Sequence, residues 1–337
     1  MKLAPAIVLI TFLFAFTRCS DRKTSECVII PDTEGISVDL QFSQLEDEIA
    51  NINSKDELVS FFTEHPAMRD FLFNRRDYPD DSVFINSIYQ RISHPAFDTL
   101  LQETRRIFGD LGQLRSQFLE AFTNIKYYYP DFVPPRVQTV ISGIESDLVV
   151  SDTLIIVSLD YYLGNEGAYR PRLYEYLLER YEPEDIVPSC MLIFGIGNTF
   201  NKTGLDDKTV LADMIAYGKS FYFAKHMLPC VPDSTLIWYS EKEIAGARQN
   251  EDLIWARLIE DQVLYSTSHV INQKYLGERP KTLEVGPECP GRIAQWVGWQ
   301  IVNRYMEANP DVTLPQLMGM PDPKTLFSAS RYKPERR

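Results

Sequence analysis

The stretch VLADMIAYGKSFYFAKHMLP, Val210 to Pro229, reads as one long helix that is apolar on almost every side. Gly218 and Lys219 sit at its middle. A glycine inside a helix costs about 1 kcal/mol relative to alanine, and close approach of a neighbouring strand or helix is the usual compensation. A buried lysine lays its stem along apolar surface and takes its ammonium to a partner. Asp160 and Glu251 are the expected carboxylates for Lys219.

A second buried helix lies near the C-terminus. In GPECPGRIAQWVGWQIVNRYM, residues Ile293, Trp296, Val297, Gln300, Ile301 and Tyr305 recur at helical spacing, and Trp299 and Val302 widen the apolar face. Pro290 and Gly291 lead into it, and Gly298 again predicts close contact with another helix.

Outward from these helices the chain divides near Tyr129. Before it, helical periodicity runs from about residue 43 with breaks at Tyr78-Pro79, His94-Pro95 and Gly109 to Gly112. Ser43 with Glu46, Ser54 with Glu57 and, later, Ser240 with Glu243 have capping-box spacing. Ile36 to Phe42 alternates like a half-buried strand, while RVQTVISG and TLIIVSLDYYLG are Val- and Ile-rich runs that read as two neighbouring strands. Helices resume near Pro171, over 174–181, 184–195, 208–228, 240–265, 290–309 and a turn near Thr325. The fold class is α+β, predominantly helical, with many helices around a small sheet. Residues 36–337 form one domain: a helical first half, 36–129, and a second half, 130–337.

Of the 337 residues, 34 are Lys or Arg and 47 are Asp or Glu, a formal charge of −13. An acidic chain without a basic stripe gains nothing from counterion release, which excludes nucleic acid as a natural partner. Lys2 precedes an apolar run from Leu3 to Phe16, too short to span a bilayer comfortably, and Cys19 follows it. This order resembles a bacterial lipoprotein signal. Residues 1–18 would be removed, Cys19 would carry lipid, and 19–35 would be a tether. Phe16-Thr17-Arg18 departs from the usual residues before such a cysteine.

Cys27, Cys190, Cys230 and Cys289 remain, and they permit three complete pairings. Independent buried thiols are the plainer expectation for a chain this long. If a bridge forms, Cys190 and Cys230, both near prolines, are the first pair to consider.

Catalytic motifs are missing where chemistry would need them. The four histidines, His65, His94, His226 and His269, include no HExxH and no pair three or four apart, so no metal site is expected. His65 and His94 precede prolines as helix-end residues, and His226 closes a helix where a positive charge suits the dipole. GIGNTFNKT resembles a phosphate loop, but Asn201 stands where the glycine before Lys202 belongs, which leaves an ordinary loop between helices. No GxSxG occurs. Asp160, ending an apolar strand, and Glu251, opening EDLIWARLIEDQVLY, are the acids to isolate, with structural pairing the favoured role.

Several separated segments together resemble one family. IKYYYPDFVPPRVQTVISG, LIIVSLDYYLG with RPRLYEYLLERYEPEDIVP, YGKSFYF with MLP, NEDLIWARLIEDQVLYST, CPGRIAQWVGWQIVNRYM and the terminal SRYKP are similar to the gliding motility lipoprotein GldB family. The resemblance implies a Bacteroidota envelope lipoprotein needed for gliding, with no cofactor and no established reaction. It implies contacts with other gliding or secretion proteins of the envelope and attachment through lipid, the outer membrane being favoured. It also implies a distant likeness to zinc-dependent peptidases, hence a degenerate zincin-like core. In that likeness LIIVSLDYYLG is the substrate-edge strand, and Met214 to Lys219 occupy the place of the ligands and general base.

The first expectation is a non-catalytic envelope protein. One alternative is a hydrolase with an atypical site at Lys219, Glu251 and Asp160, since a desolvated lysine can act as base or nucleophile. The other is a peptide or small-ligand binding module, for which a cleft lined by Tyr161, Tyr217 and Tyr222 is the sign. The expected buried polar cluster is therefore Lys219, Asp160, Glu251, Tyr161 and Tyr217.

Overall fold

A single four-stranded sheet divides two hydrophobic cores, and the residue alternation of its central strand assigns the side chains to them. In the computed structural model, which describes residues 27, 30–204 and 206–334, Ile155 and Val157 join one core and Ile156 joins the other. The expected signal segment, residues 1–18, and Cys19 lie outside the described residues.

The strands are β1 (Phe42–Gln44), β2 (Arg136–Val140), β3 (Leu148–Val150) and β4 (Leu154–Ser158), ordered β1-β2-β4-β3. β1, β2 and β4 are parallel, with Phe42 opposite Val137 and Val137 opposite Ile155, while β3 runs antiparallel along the edge. The two strands expected from the Val/Ile runs are neighbours as read. The first strand lies later than the expected Ile36 to Phe42: only Phe42–Gln44 pairs with β2, and residues 36–41 form no strand.

Pairing also overrides the first capping signal. Ser43 belongs to the ladder, Leu45 donates its N–H to the Thr139 carbonyl at 2.9 Å, and α1 (Glu46–Ala50) begins after Leu45 without a side-chain cap. The other caps hold. Ser54 caps α2 (Lys55–Glu64), and Ser240 with Glu243 closes a full capping box. The crossover from β1 to β2 continues through α3 (Asp81–Ile92), α4 (Pro95–Phe108) and α5 (Gly112–Tyr128). His65 and His94 are the helix-end residues expected, the C-cap of α2 and the N-cap of α4. The smaller core lies between the first four helices and the sheet.

After β4 the chain forms α6 (Glu175–Leu178), α7 (Ile186–Ile196) and α8 (Val210–Met227). It continues through α9 (Asp233–Ile237), α10 (Glu241–Gln249), α11 (Glu251–Glu260), α12 (His269–Tyr275), α13 (Ile293–Ala308), α14 (Leu314–Gly319) and α15 (Pro323–Ser330). The stretch read as one helix over 240–265 is two, separated at Asn250, whose side chain donates to the Gly246 carbonyl.

Helix α8 is the axis of the larger core. A Cβ on Gly218 would lie 2.3 Å from the Gly298 carbonyl oxygen, and one on Gly298 would lie 1.9 Å from that of Met214, so α8 and α13 meet backbone to backbone. On another side of α8, a Cβ on Gly195 would lie 2.9 Å from the Ser220 Cα, which brings α7 in as closely. Asn201 fixes the link between these two helices: its side-chain amide donates to the carbonyls of Gly195 and Ala216, each at 3.0 Å. The residue that spoils the phosphate-loop pattern is thus a buried clamp between helices.

The disulfide expected for Cys190 and Cys230 is not the one formed. Cys190 points into the core from the middle of α7 and is a free thiol, as is Cys289. Cys230, just past α8, bonds to Cys27 across a separation of 203 residues.

Candidate functional site

The residues singled out from the sequence are held in separate places. Lys219 is 1% exposed, and its ammonium donates to the Met320 carbonyl at 2.6 Å, not to a carboxylate. Burial lowers its pKa to about 8. Glu251 accepts from the Tyr332 hydroxyl at 2.7 Å. Asp160 is fully buried in the turn that follows β4. It accepts from the backbone N–H groups of Ser142 at 3.0 Å and Ile144 at 2.6 Å, and from the Ser158 hydroxyl at 2.8 Å. Burial raises its pKa against the pull of those donors. Its carboxylate thereby pins a loop in which Gly143 and Ile144 both have positive φ. Tyr161 packs edge-on against Tyr181. The partners differ in every case, and none is another member of the expected cluster, so no Lys219–Glu251–Asp160 site is assembled.

His226 also departs from its expected role. Burial lowers its pKa, so its ring is neutral near pH 7 and its place at the end of α8 is not a charge–dipole pairing. Nδ1 lies 2.8 Å from the Tyr222 carbonyl, an oxygen to which only an N–H can donate.

Two of the expected residues line cavities, and not the same one: Glu251 borders the groove beside the C-terminal segment. Tyr217 stands 36% exposed at the rim of a pocket of about 260 Å³ between the sheet edge, α7, α8 and the start of α13. Leu192, Ile193, Ile196 and Phe221 form an apolar wall, and Tyr162, the residue after the expected Tyr161, forms part of the lining with Tyr181. Tyr222 lines a different and wider groove of about 910 Å³ beside the C-terminal segment. The three tyrosines proposed to share a cleft therefore do not.

The polar end of the smaller pocket was not foreseen. Arg180 and Trp238 line it, with the Arg180 guanidinium 4.8 Å from the indole centroid. The Arg292 guanidinium lies 5.3 Å from the same ring and is itself only 3% exposed. Glu278 pairs with both arginines, and Arg292 also donates to the Ile237 carbonyl at 2.7 Å. Trp238 ends α9 at φ 52° and Arg292 precedes α13 at φ 59°, so both are non-glycine residues in the left-handed region. An arginine between Gly291 and a buried helix, in a segment otherwise apolar, was the one sequence signal that pointed here.

Comparison with known proteins places the chain in a family. The model of the gliding motility protein GldB family matches residues 26–334. The chain belongs to the GldB family. Neither curated proteins nor solved structures give a match. Family membership connects the chain with gliding motility and the lipoproteins that serve it. Among the described residues no helix is long and apolar enough to cross a membrane. They contain one group with ligand-like spacing, Glu48, Glu64 and His65, exposed or half-buried around the end of α2 and far in sequence from α8.

Proposed function

We propose that this GldB-family chain is a lipid-anchored, non-catalytic component of the cell envelope that supports gliding through contacts with other envelope proteins. The observation that carries the reading is the use made of α8. Met214 and Gly218 are engaged in the backbone crossing with α13, and Lys219 is engaged with the Met320 carbonyl. A peptidase-like helix would present ligands and a base from this stretch; here its central residues are committed to packing. On this reading α8 carries none of the chemistry that a distant likeness to zinc peptidases would imply.

The disulfide supports an oriented anchor. With lipid on Cys19, the tether to Cys27 extends to at most about 29 Å, since each residue spans no more than about 3.6 Å. Cys27 is bonded to Cys230, so the end of α8 is the part of the body held near the membrane. Acyl chains contribute about 0.8 kcal/mol per buried methylene, enough for two or three to hold an acidic body on an anionic surface.

Crosslinking in the native envelope, with Cys19→Ala as control, tests this reading. The anchored protein should yield discrete envelope partners, and Cys19→Ala should leave the membrane fraction and abolish gliding. Stoichiometric zinc in the purified protein, or a hydrolytic turnover lost in Lys219→Ala, would overturn the non-catalytic assignment.

A further inference from the structure

Buried polar side-chain atoms without a hydrogen-bond partner are rare in folded proteins, because each carries a desolvation cost that folding does not return. Six occur among the described residues, and three belong to one cluster: Arg180 Nε, Trp238 Nε1 and Arg292 Nη1. All three are N–H donors. Arg180 and Trp238 border one cavity, so an acceptor placed there can meet both, and beside a guanidinium the strongest acceptor is a carboxylate. The cavity bordered by Arg180 and Trp238 is apolar elsewhere, along Leu192, Ile193, Ile196 and Phe221.

Every charge at this cavity can be named. Glu278 is shared between Arg180 and Arg292, and Asp147 on the cavity wall balances the remaining positive charge while accepting from the Leu148 N–H at 2.7 Å and the Tyr181 hydroxyl at 3.3 Å. Arg180 Nε and Trp238 Nε1 still have no acceptor at the Trp238 end. Trp238 and Arg292 both hold left-handed backbone conformations.

We propose that this cavity binds a small ligand in which a carboxylate is carried on an apolar body, the carboxylate accepting from Arg180 and Trp238, which line the cavity, and the body lying against the α7–α8 wall. A volume of about 260 Å³ is just below the usual range of drug-sized sites, so the ligand is the size of a single aromatic or branched acid rather than a folded partner. The inference does not depend on the gliding assignment and survives if that fails.

The test uses the full-length chain in detergent and follows the indole N–H resonance of Trp238, assigned by its loss in Trp238→Phe. Titration with 3-phenylpropionate should shift that resonance saturably, and the neutral 3-phenylpropanamide should bind at least 10-fold more weakly. Arg180→Lys keeps the charge opposite Glu278 but lacks the Nε–H, and it should weaken 3-phenylpropionate 5-fold or more while its far-UV spectrum and melting temperature stay close to wild type. No saturable shift, equal binding of acid and amide, or binding untouched by Arg180→Lys would each overturn the proposal.

Discussion

Two buried cationic centres lie close to α8, and they differ in one respect. Lys219 is buried with an acceptor at 2.6 Å, the Met320 carbonyl. Arg180 and Arg292 share Glu278 around Trp238, yet each keeps a donor without a partner. A buried cation whose hydrogen bond is met holds the fold together; a buried donor left unmet carries a desolvation cost that the fold does not return. Lysine in the middle of an apolar helix attracted attention in the sequence, but the arginines and tryptophan on either side of α9 and α13 are the less explained residues.

The largest effect comes from the helix crossing that confines Lys219. Gly298→Val places atoms where the Met214 carbonyl stands and should cost more than about 3 kcal/mol, seen as loss of soluble folded protein. Gly246→Ala meets nothing within 4 Å and should instead be neutral or stabilising by up to about 1 kcal/mol in chemical unfolding. If Gly298→Val melts like wild type, the backbone contact between α8 and α13 is wrong.

Lys219→Ala leaves a cavity and an orphaned Met320 carbonyl and should cost about 2–3 kcal/mol, whereas Lys219→Met keeps the volume and should stay within about 1 kcal/mol of wild type. Because burial lowers the lysine pKa from 10.5 to about 8, the unfolded chain binds more protons between those values. That contribution therefore makes stability rise with pH from about 8 to 10.5, and Lys219→Met should flatten the slope.

Asp185 gives the opposite slope. Burial, with Glu182 and Glu184 adding to it, raises its pKa from 3.8 to about 7, so the folded state binds more protons between those values. Its contribution makes stability fall as pH rises from about 4 to 7. Asp185→Asn, which can still accept from the Glu182 N–H, should be more stable than wild type at pH 8 by on the order of 2 kcal/mol. Urea unfolding across pH measures both slopes. Smallest of all, Trp238→Phe should cost less than about 1 kcal/mol, since the indole N–H has no bond to lose. A larger loss would show that this donor has a structural partner and would erase the contrast with Lys219.

Much of the architecture was legible in the sequence because local pattern and packing agree there. The apolar α8, the paired glycines, the Val/Ile strands and two of the three caps are each dictated by short-range spacing. The Ser43 cap failed because β pairing claimed the same residues, and β3, α9, α12 and α14 are too short to carry a period of their own. The candidate site was hardly legible. Lys219, Asp160 and Glu251 are conspicuous as isolated charges in apolar runs, but long-range folding gives each a local structural partner. Arg180, Trp238 and Arg292 come from three distant segments, and Trp238 and Arg292 sit at left-handed helix ends that no local pattern announces. Cys27 was passed over as a partner for Cys230 for the same reason: nothing in 203 residues of intervening chain announces the contact.

The central claim is that α8 holds the protein together and carries no chemistry. Spreading of cells whose only copy carries Lys219→Met, compared at matched protein level with wild type and with Cys19→Ala, tests it most directly. The account predicts wild-type gliding for Lys219→Met and none for Cys19→Ala. A folded, membrane-bound Lys219→Met protein that fails to support gliding would contradict it.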